Sequence, residues 1–481
     1  MIARRHLKKS ELMKLQKFIY TLAVVFSACF LLVACDDDDV VNVEPAFGFV
    51  LPDTDTALES IEVLGSAGER MVQIVSNVDW SVTSDADWLK LSNTSGVPTI
   101  NNATTMYLKL SYDKYLAADS RTATITLAAA GLTKTLRVTQ VGLQGTDAEG
   151  HELAATAVAN MKIGVCIGNT LDANGTWFSG TNPSDYETCW GNPVITKDLI
   201  HAFSAAGFKA VRLPVTWWQN IDQAGHVRDI WMARVEEVVG WILDEGMYCV
   251  LDVHHDTGGA DSCWLRADAA NIDAIESRFT TLWTEIATRF IGYGDKLVFE
   301  GYNEMLDGNL RWSETDDAGY AAHNRLAQAF VNTVRATGGN NVSRNLLVNT
   351  YSANPGERTT ANFSIPTDVA ANHLIIGVHV YAPGSFTSPA EGQQPAWESA
   401  HESELTEIFN RLSATFINKG LPVVVGEFGA QSGDEAEIAK YASFFSEQCS
   451  RRGMAGFYWF DLINRHDYSW TLPLVKDALV K

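Results

Sequence analysis

The sequence predicts a (β/α)8 TIM barrel preceded by a small all-β, immunoglobulin-like sandwich. Three observations carry this. Residues 47–140 run in short alternating segments bounded by turn residues, the stretch "VGLQGTDAEG" at 141–150 breaks that rhythm, and from there strand-like and helix-like segments alternate to the end. At 481 residues the chain is long enough for two domains.

In the first region the strand candidates are "RMVQIVS" from Arg70, "DWSVTS", "DWLKLS", "TMYLKLSY", "RTATITLAA" and "KTLRVTQ". Several short strands of this kind build a sandwich that buries one face of each. Trp80 and Trp88 offer flat faces for a sugar, but alternation favours them as core, so the domain reads as a spacer first and a binding module second.

In the second region eight apolar runs follow one another. They are "KIGVCIG" from Lys162, "FKAVRLPV" from Phe208, "YCVLDVHH" from Tyr248, "KLVFEGYNE" from Lys296, "NLLVNTYS" from Asn345, "HLIIGVHVY" from His373, "PVVVGEFG" from Pro422 and "GFYWFDL" from Gly456. Helix-period stretches such as "IWMARVEEVVGWILDEG" and "IESRFTTLWTEIATRFIGYG" lie between them. Eight such units close a barrel whose working face is the C-terminal end of its strands.

Polar groups gather at those ends in seven of the eight units: Asn169, Arg212, His254 with His255, Asn303 with Glu304, His379 with Tyr381, Glu427, and Trp459 beside them in the last. Glu304 and Glu427 would face each other across one pocket. Two carboxylates across a cleft are the equipment of glycoside hydrolysis, one as nucleophile and one as acid then base, and a gap of roughly 5 to 5.5 Å means retention. Glu300 and Glu304 share a parity, so Glu300 is a rival acid that belongs a layer deeper; Asn303 has the opposite parity and needs a bulge or twist. A metal hydrolase built on His254, His255, Asp256 and His379 is the competing enzyme. Strand alternation places His254 and His255 on opposite faces, which argues against a shared ion. No metal and no cofactor is expected, because carboxylates supply both proton transfer and nucleophile.

Nine of the twelve tryptophans after the linker fall at strand ends or in loops: Trp177, Trp190, Trp217, Trp218, Trp264, Trp312, Trp397, Trp459 and Trp470. That density suggests a cleft that stacks on a polysaccharide, with some of them packing. Trp231, Trp241 and Trp283 sit at helical positions and read as core.

The formal net charge of -22 gives nucleic acid nothing to exchange for its counterions, so a nucleic-acid partner is excluded and a neutral substrate fits. The start of the chain is basic, then apolar over 18–34, then Cys35 and the acidic run 36–39, a secretory layout; Met13 is an alternative start. Among seven cysteines, Cys29 and Cys35 belong to this segment, and Cys166 and Cys249 read as buried hydrophobes. Cys189 and Cys263 fall on one rim, which leaves a disulfide open.

Three resemblances extend this reading. "LVAC" at 32–35 resembles a bacterial lipoprotein processing box, with Cys35 as the lipidated residue, and the acidic run resembles the surface-export signal of Bacteroidetes lipoproteins. This implies a membrane partner through the lipid anchor and an outer-membrane, surface-exposed location. The "NVDWSV" and "DADWLKLS" pair, with "SRTATITL" and "VTQ", resembles the BACON domain. From about residue 155 the chain resembles glycoside hydrolase family 5 of clan A, in its endoglucanase and xyloglucanase branch. The segments "IGNTLDANG", "ETCWGNPVIT", "AGFKAVRLPVTW", "DVHHD", "FEGYNE", "HVYAP", "VVVGEFG" and "FYWFD" occur in the family's order. That resemblance implies Glu304 as acid/base and Glu427 as nucleophile. It implies Arg212 holding the nucleophile ionised and Asn303 on the sugar 2-hydroxyl. His254, His379 and Tyr381 would complete the shell, with Trp459 as subsite floor and Asn169 and Trp190 as further substrate contacts.

The implied domains are a lipoprotein signal at 1–34, an acidic linker at 35–46, the sandwich at 47–142 and the barrel at 151–481. The implied function is an endo-acting, retaining β-1,4-glucanase on xyloglucan or cellulose-type glucan, working as a monomer. Glucomannan, mixed-linkage glucan and a non-catalytic surface glycan-binding protein stand as alternatives.

Overall fold

The computed structural model describes residues 45–481 apart from 53–56, 64, 66–67, 100–105, 116–118, 143–144, 148, 150, 391–392, 394 and 432. The signal segment, Cys35 and the acidic run lie outside the described residues. The chain divides into two compact units. Among the described residues no helix is long and apolar enough to cross a membrane.

The N-terminal unit is a two-sheet sandwich. Its strands are β1 (Phe47–Val50), β2 (Ser60–Val63), β3 (Gly68–Ser76), β4 (Trp80–Ser84), β5 (Leu89–Leu91), β6 (Ser95–Gly96), β7 (Met106–Tyr112), β8 (Arg121–Ala129) and β9 (Leu132–Gln140). One sheet runs β1-β3-β7-β5 and the other β2-β9-β8-β4-β6. Alternation does what it predicts: Val72 and Ile74 of β3, Leu108 and Leu110 of β7, and Ile125 and Leu127 of β8 are fully buried. Trp80 is 3% exposed and gives its Nε1 hydrogen to the carbonyl of Val97 at 3.2 Å. Its ring lies over Gly96, where any Cβ would stand 2.3 Å away, so Trp80 fills the core and offers no face to a ligand.

The second unit is a closed parallel barrel of β10 (Ile163–Cys166), β11 (Ala210–Leu213), β12 (Tyr248–Asp252), β13 (Leu297–Glu300), β14 (Leu346–Asn349), β15 (Leu374–Val380), β16 (Val423–Phe428) and β17 (Ala455–Tyr458). Its interior is layered by the period of two. At the N-terminal end Ala210, Val250, Val298, Leu347, Ile375 and Val424 form a fully buried cluster, closed by Ala154, Val158 and Met161 of the helix Ala154–Met161. Two residues further along the same strands the inward positions become Arg212, Asp252, Glu300 and Asn349, all fully buried. The polar centre therefore stands on an apolar plug.

Strand β16 departs from this period. Val378 pairs with Val425 and His379 pairs with Glu427, so Gly426 is one extra residue in the ladder. Such a bulge re-aims the next side chain. Val424 and Gly426 face the interior by alternation, and the bulge turns Glu427 to the same side. A Cβ on Gly426 would stand 3.0 Å from His379 Nε2 and 3.6 Å from Arg212 Nε. Gly426→Ala is expected to displace His379 and cost up to about 10²-fold in kcat, since misplacement near 1 Å is that expensive. Steady-state kinetics beside a thermal melt checks this; unchanged kcat would show the position to be slack.

Candidate active site

One guanidinium organises the site. Arg212, fully buried on β11, grips Glu300 with Nε to Oε2 (2.7 Å) and Nη2 to Oε1 (2.8 Å). Nη2 also reaches Asp252 Oδ2 and Asn303 Oδ1, both at 2.8 Å, and Nη1 reaches Glu427 Oε1 at 2.8 Å. Fork geometry makes this arrangement available to arginine alone. Glu300 is thus committed to Arg212 and to Asn349 Nδ2 (2.7 Å).

The two expected carboxylates meet across the mouth. Glu427 accepts from Arg212 on one oxygen and from Tyr381 Oη (2.8 Å) on the other. Glu304 Oε1 lies 2.9 Å from His379 Nδ1, and the same nitrogen is 3.6 Å from Glu427 Oε2. Glu304, His379 and Glu427 each offer an atom within 4.8 Å of the other two. Burial pushes the Glu304 carboxyl up to about 7, with Arg212 and His255 opposing. Burial also raises Glu427, against His379, Arg212 and the Tyr381 hydroxyl. His379 is pushed down to about 4 by burial, so it is neutral at neutral pH. The oxygens of Glu427 thus face a cation and a hydroxyl, whereas Glu304 faces a neutral ring. The proton belongs on Glu304.

Of the other expected residues, Asn303, His254 and Trp459 connect to this pair. Asn303 lies three residues past the end of β13, where strand alternation no longer applies, which is how it reaches Arg212 despite its parity. His254 is fully enclosed, bonds Asp252 Oδ2 through Nδ1 (2.7 Å), and has Nε2 3.9 Å from Glu427 Oε1. Burial, with His255 and Arg212, holds His254 well below the usual histidine range. Trp459 stacks on His254 with centroids 5.4 Å apart and planes 10° apart. Asn169 adopts φ 59°, a left-handed turn that asparagine tolerates, and its carbonyl accepts from Asn192 Nδ2 at 2.9 Å. Trp190 is 39% exposed, fixed by Nε1 to the Asn174 carbonyl (2.7 Å), with its ring 5.4 Å from His255.

One expectation needs correction, and two readings left open are resolved. The alternation argument that separated His254 from His255 fails, because both lie beyond the end of β12 and their rings approach to 4.4 Å. Asp172, His254 and His255 each offer an atom within 4.8 Å of the others. Second, the loop tryptophans divide. Trp217 is fully buried and donates to the Asp252 carbonyl, Trp397 packs among Phe386, Tyr441 and Phe444, and Trp470 packs on Phe203 and Phe208. Trp177 and Trp312, 74% and 53% exposed, remain with Trp190 as open faces. Third, Cys189 and Cys263 form no disulfide; the five described cysteines are free. Asp252, Asn349 and Asp172 were missed, although a carboxylate or amide on the inward stripe of an apolar strand signals the first two.

Comparison with known proteins agrees with this geometry. Residues 171–472 match the family described as Cellulase (glycosyl hydrolase family 5), and residues 78–141 match the BACON domain. The chain is 33% identical over 348 residues to "Endoglucanase A" of Ruminococcus albus, covering 68% of this chain and 92% of the relative. It is 29% identical over 436 residues to the xyloglucan-specific endo-β-1,4-glucanase of Bacteroides ovatus, covering 83% and 84%. A family 5 enzyme of Prevotella bryantii, solved as a point mutant in complex with a xyloglucan tetradecasaccharide, superposes with a TM-score of 0.65 at 40% identity, over 69% of this chain and 98% of that one. The chain is a glycoside hydrolase and belongs to family 5.

Proposed function

We propose that the chain is an endo-acting, retaining β-1,4-glucanase, with xyloglucan as its preferred backbone. The observation that carries this is the Glu304–His379–Glu427 cluster, whose interacting atoms lie within 4.8 Å. Retaining enzymes hold their carboxyl groups roughly 5 to 5.5 Å apart, whereas inverting ones leave about 6.5 to 9.5 Å for a water.

In the first step a Glu427 oxygen attacks the anomeric carbon while Glu304 gives its proton to the glycosidic oxygen, and the C–O bond breaks. In the second, Glu304, now ionised, takes a proton from water, which attacks the same carbon and releases Glu427. Arg212 and Tyr381 keep Glu427 charged and aimed. The Asn303 oxygen is held by Arg212, which leaves its NH2 to donate to the sugar 2-hydroxyl. Trp459 on His254 floors the subsite beside the scissile bond, and Asn169 and Trp190 extend it. Xyloglucan is favoured by the names of the Bacteroides and Prevotella relatives and by the exposed Trp177, Trp190 and Trp312. Reducing-end release from xyloglucan, carboxymethylcellulose, glucomannan and mixed-linkage glucan tests this, and the fastest release from a backbone other than xyloglucan would overturn the preference.

A Glu304 carboxyl near 7 is protonated below that pH, so kcat/KM is expected to fall as pH rises through about 7. It also falls in acid, as Glu427 takes up a proton. Glu304→Ala should remove the alkaline limb and spare aryl glycosides with good leaving groups more than polysaccharide. A retained alkaline limb would move the acid role elsewhere.

Lipidation at Cys35 would anchor the chain at the outer membrane with the acidic run as tether; two acyl chains suffice for stable attachment. The sandwich then spaces a monomeric enzyme from the surface. Fatty-acid labelling that disappears in Cys35→Ser is the expected result, and labelling that persists would refute the site.

A further inference from the structure

We infer that Asp172, His254 and His255 form a binding site for a transition-metal dication of the Zn2+ or Cu2+ class, whose occupancy holds the hydrolase off. Hydrolysis makes no use of this ion. The three side chains come from the loops after β10 and β12, and each offers a ligand atom within 4.8 Å of the other two. Three features point to a cation beyond that proximity.

Asp172 is fully buried, yet only one of its oxygens is satisfied. Oδ1 accepts the Thr170 N–H at 2.8 Å, while Oδ2 has no hydrogen-bond partner. That bare oxygen faces His255 Nε2 at 3.7 Å, too long for a hydrogen bond. Two ligands on tetrahedral zinc, with bonds of about 2.1 Å, stand roughly 3.4 Å apart, so this gap matches a bridged pair better than a bonded one.

His254 is oriented as metal-binding histidines are. Its Nδ1 is engaged by Asp252 Oδ2 at 2.7 Å, which fixes the ring and leaves Nε2 free to bind. The Asp252 carboxylate is itself held by Arg212 and by the Val215 N–H (2.9 Å).

Access and donor chemistry agree. The His255 side chain is 32% exposed, which gives an ion a way in beside Trp190. Two imidazoles and one carboxylate suit zinc or copper and leave a position open, whereas calcium and magnesium want oxygen alone.

The consequence lies in what adjoins the site. His254 Nε2 is 3.9 Å from Glu427 Oε1 and the Trp459 ring lies on His254, so an ion here competes with sugar at the centre of the cleft. Inhibition should be reversed by a chelator.

The direct test is binding, independent of glucan hydrolysis. The full chain, stripped with chelator, is titrated calorimetrically with Zn2+, and Co2+ is added in parallel for its visible spectrum. Expected are one equivalent of Zn2+, at least tenfold weaker binding in Asp172→Asn and in His255→Gln, and a cobalt spectrum without thiolate charge transfer. Failure to take up Zn2+ at millimolar concentration, or wild-type affinity in both variants, would overturn the site. So would thiolate charge transfer, which would assign the metal to a cysteine instead. If either variant melts well below the wild type, the cobalt spectrum of the unaltered chain decides alone.

Discussion

Glu427→Gln lowers kcat on soluble β-glucan by roughly 10⁵- to 10⁶-fold, the scale on which removal of a covalent nucleophile acts. The amide is nearly isosteric, so the loss is chemical. Glu427 Oε1 takes a hydrogen from Arg212 and Oε2 takes one from Tyr381. In the variant the amide oxygen meets Arg212 and the NH2 donates to the Tyr381 oxygen, which can accept as well as donate. The cleft keeps its shape, and glycan binding measured by calorimetry should stay within a few-fold of wild type. Binding lost together with turnover would point to a collapsed site instead.

Arg212→Met is expected to damage stability and activity together. Glu300, Asp252 and Glu427 all bond one guanidinium, and its removal leaves three buried carboxylates facing one another. Breaking a buried pair costs about 3–5 kcal/mol, of order 10 °C in melting temperature for a domain of this size. Arg212 lowers the Glu427 carboxyl against the rise caused by burial, so its loss raises that carboxyl further. A raised carboxyl ionises only at higher pH. The acid limb of the pH profile therefore moves to higher pH, and because Arg212 also lowers the Glu304 carboxyl, the alkaline limb rises with it. Arg212→Lys should rescue neither property, because a single ammonium cannot hold Glu300 with two parallel bonds. Thermal melts and pH profiles of both variants check this; an unshifted acid limb would separate Arg212 from the nucleophile.

Much of this was legible in the residues. Eight apolar runs of strand length, each followed by helix-period sequence, leave little choice but a barrel, and the polar tips of those runs mark its working face. What was hidden is local backbone. Period-two alternation holds only inside the ladder, so His254, His255 and Asn303, which lie past their strand ends, defeat any parity argument. Glu427 is turned inward by one extra residue at Gly426, and "VVVGEFG" carries no mark of that bulge beyond its glycine. Burial of loop aromatics was equally opaque: Trp217 and Trp470 follow strand-like or polar segments yet pack inward, because what covers them comes from distant parts of the chain. Asp252 was passed over although it sits two residues before His254 on the inward stripe, where a carboxylate is too costly to bury without a partner.

Retention requires that Glu427 form a covalent bond to the sugar. Incubation with an activated 2-deoxy-2-fluoro cello-oligosaccharide, followed by proteolysis and mass spectrometry, addresses it directly, since the fluorine slows hydrolysis of the ester more than its formation. One glycosyl addition is expected, on the peptide that carries Glu427. Steady turnover with no adduct, or an adduct on Glu304 or Glu300, would contradict it.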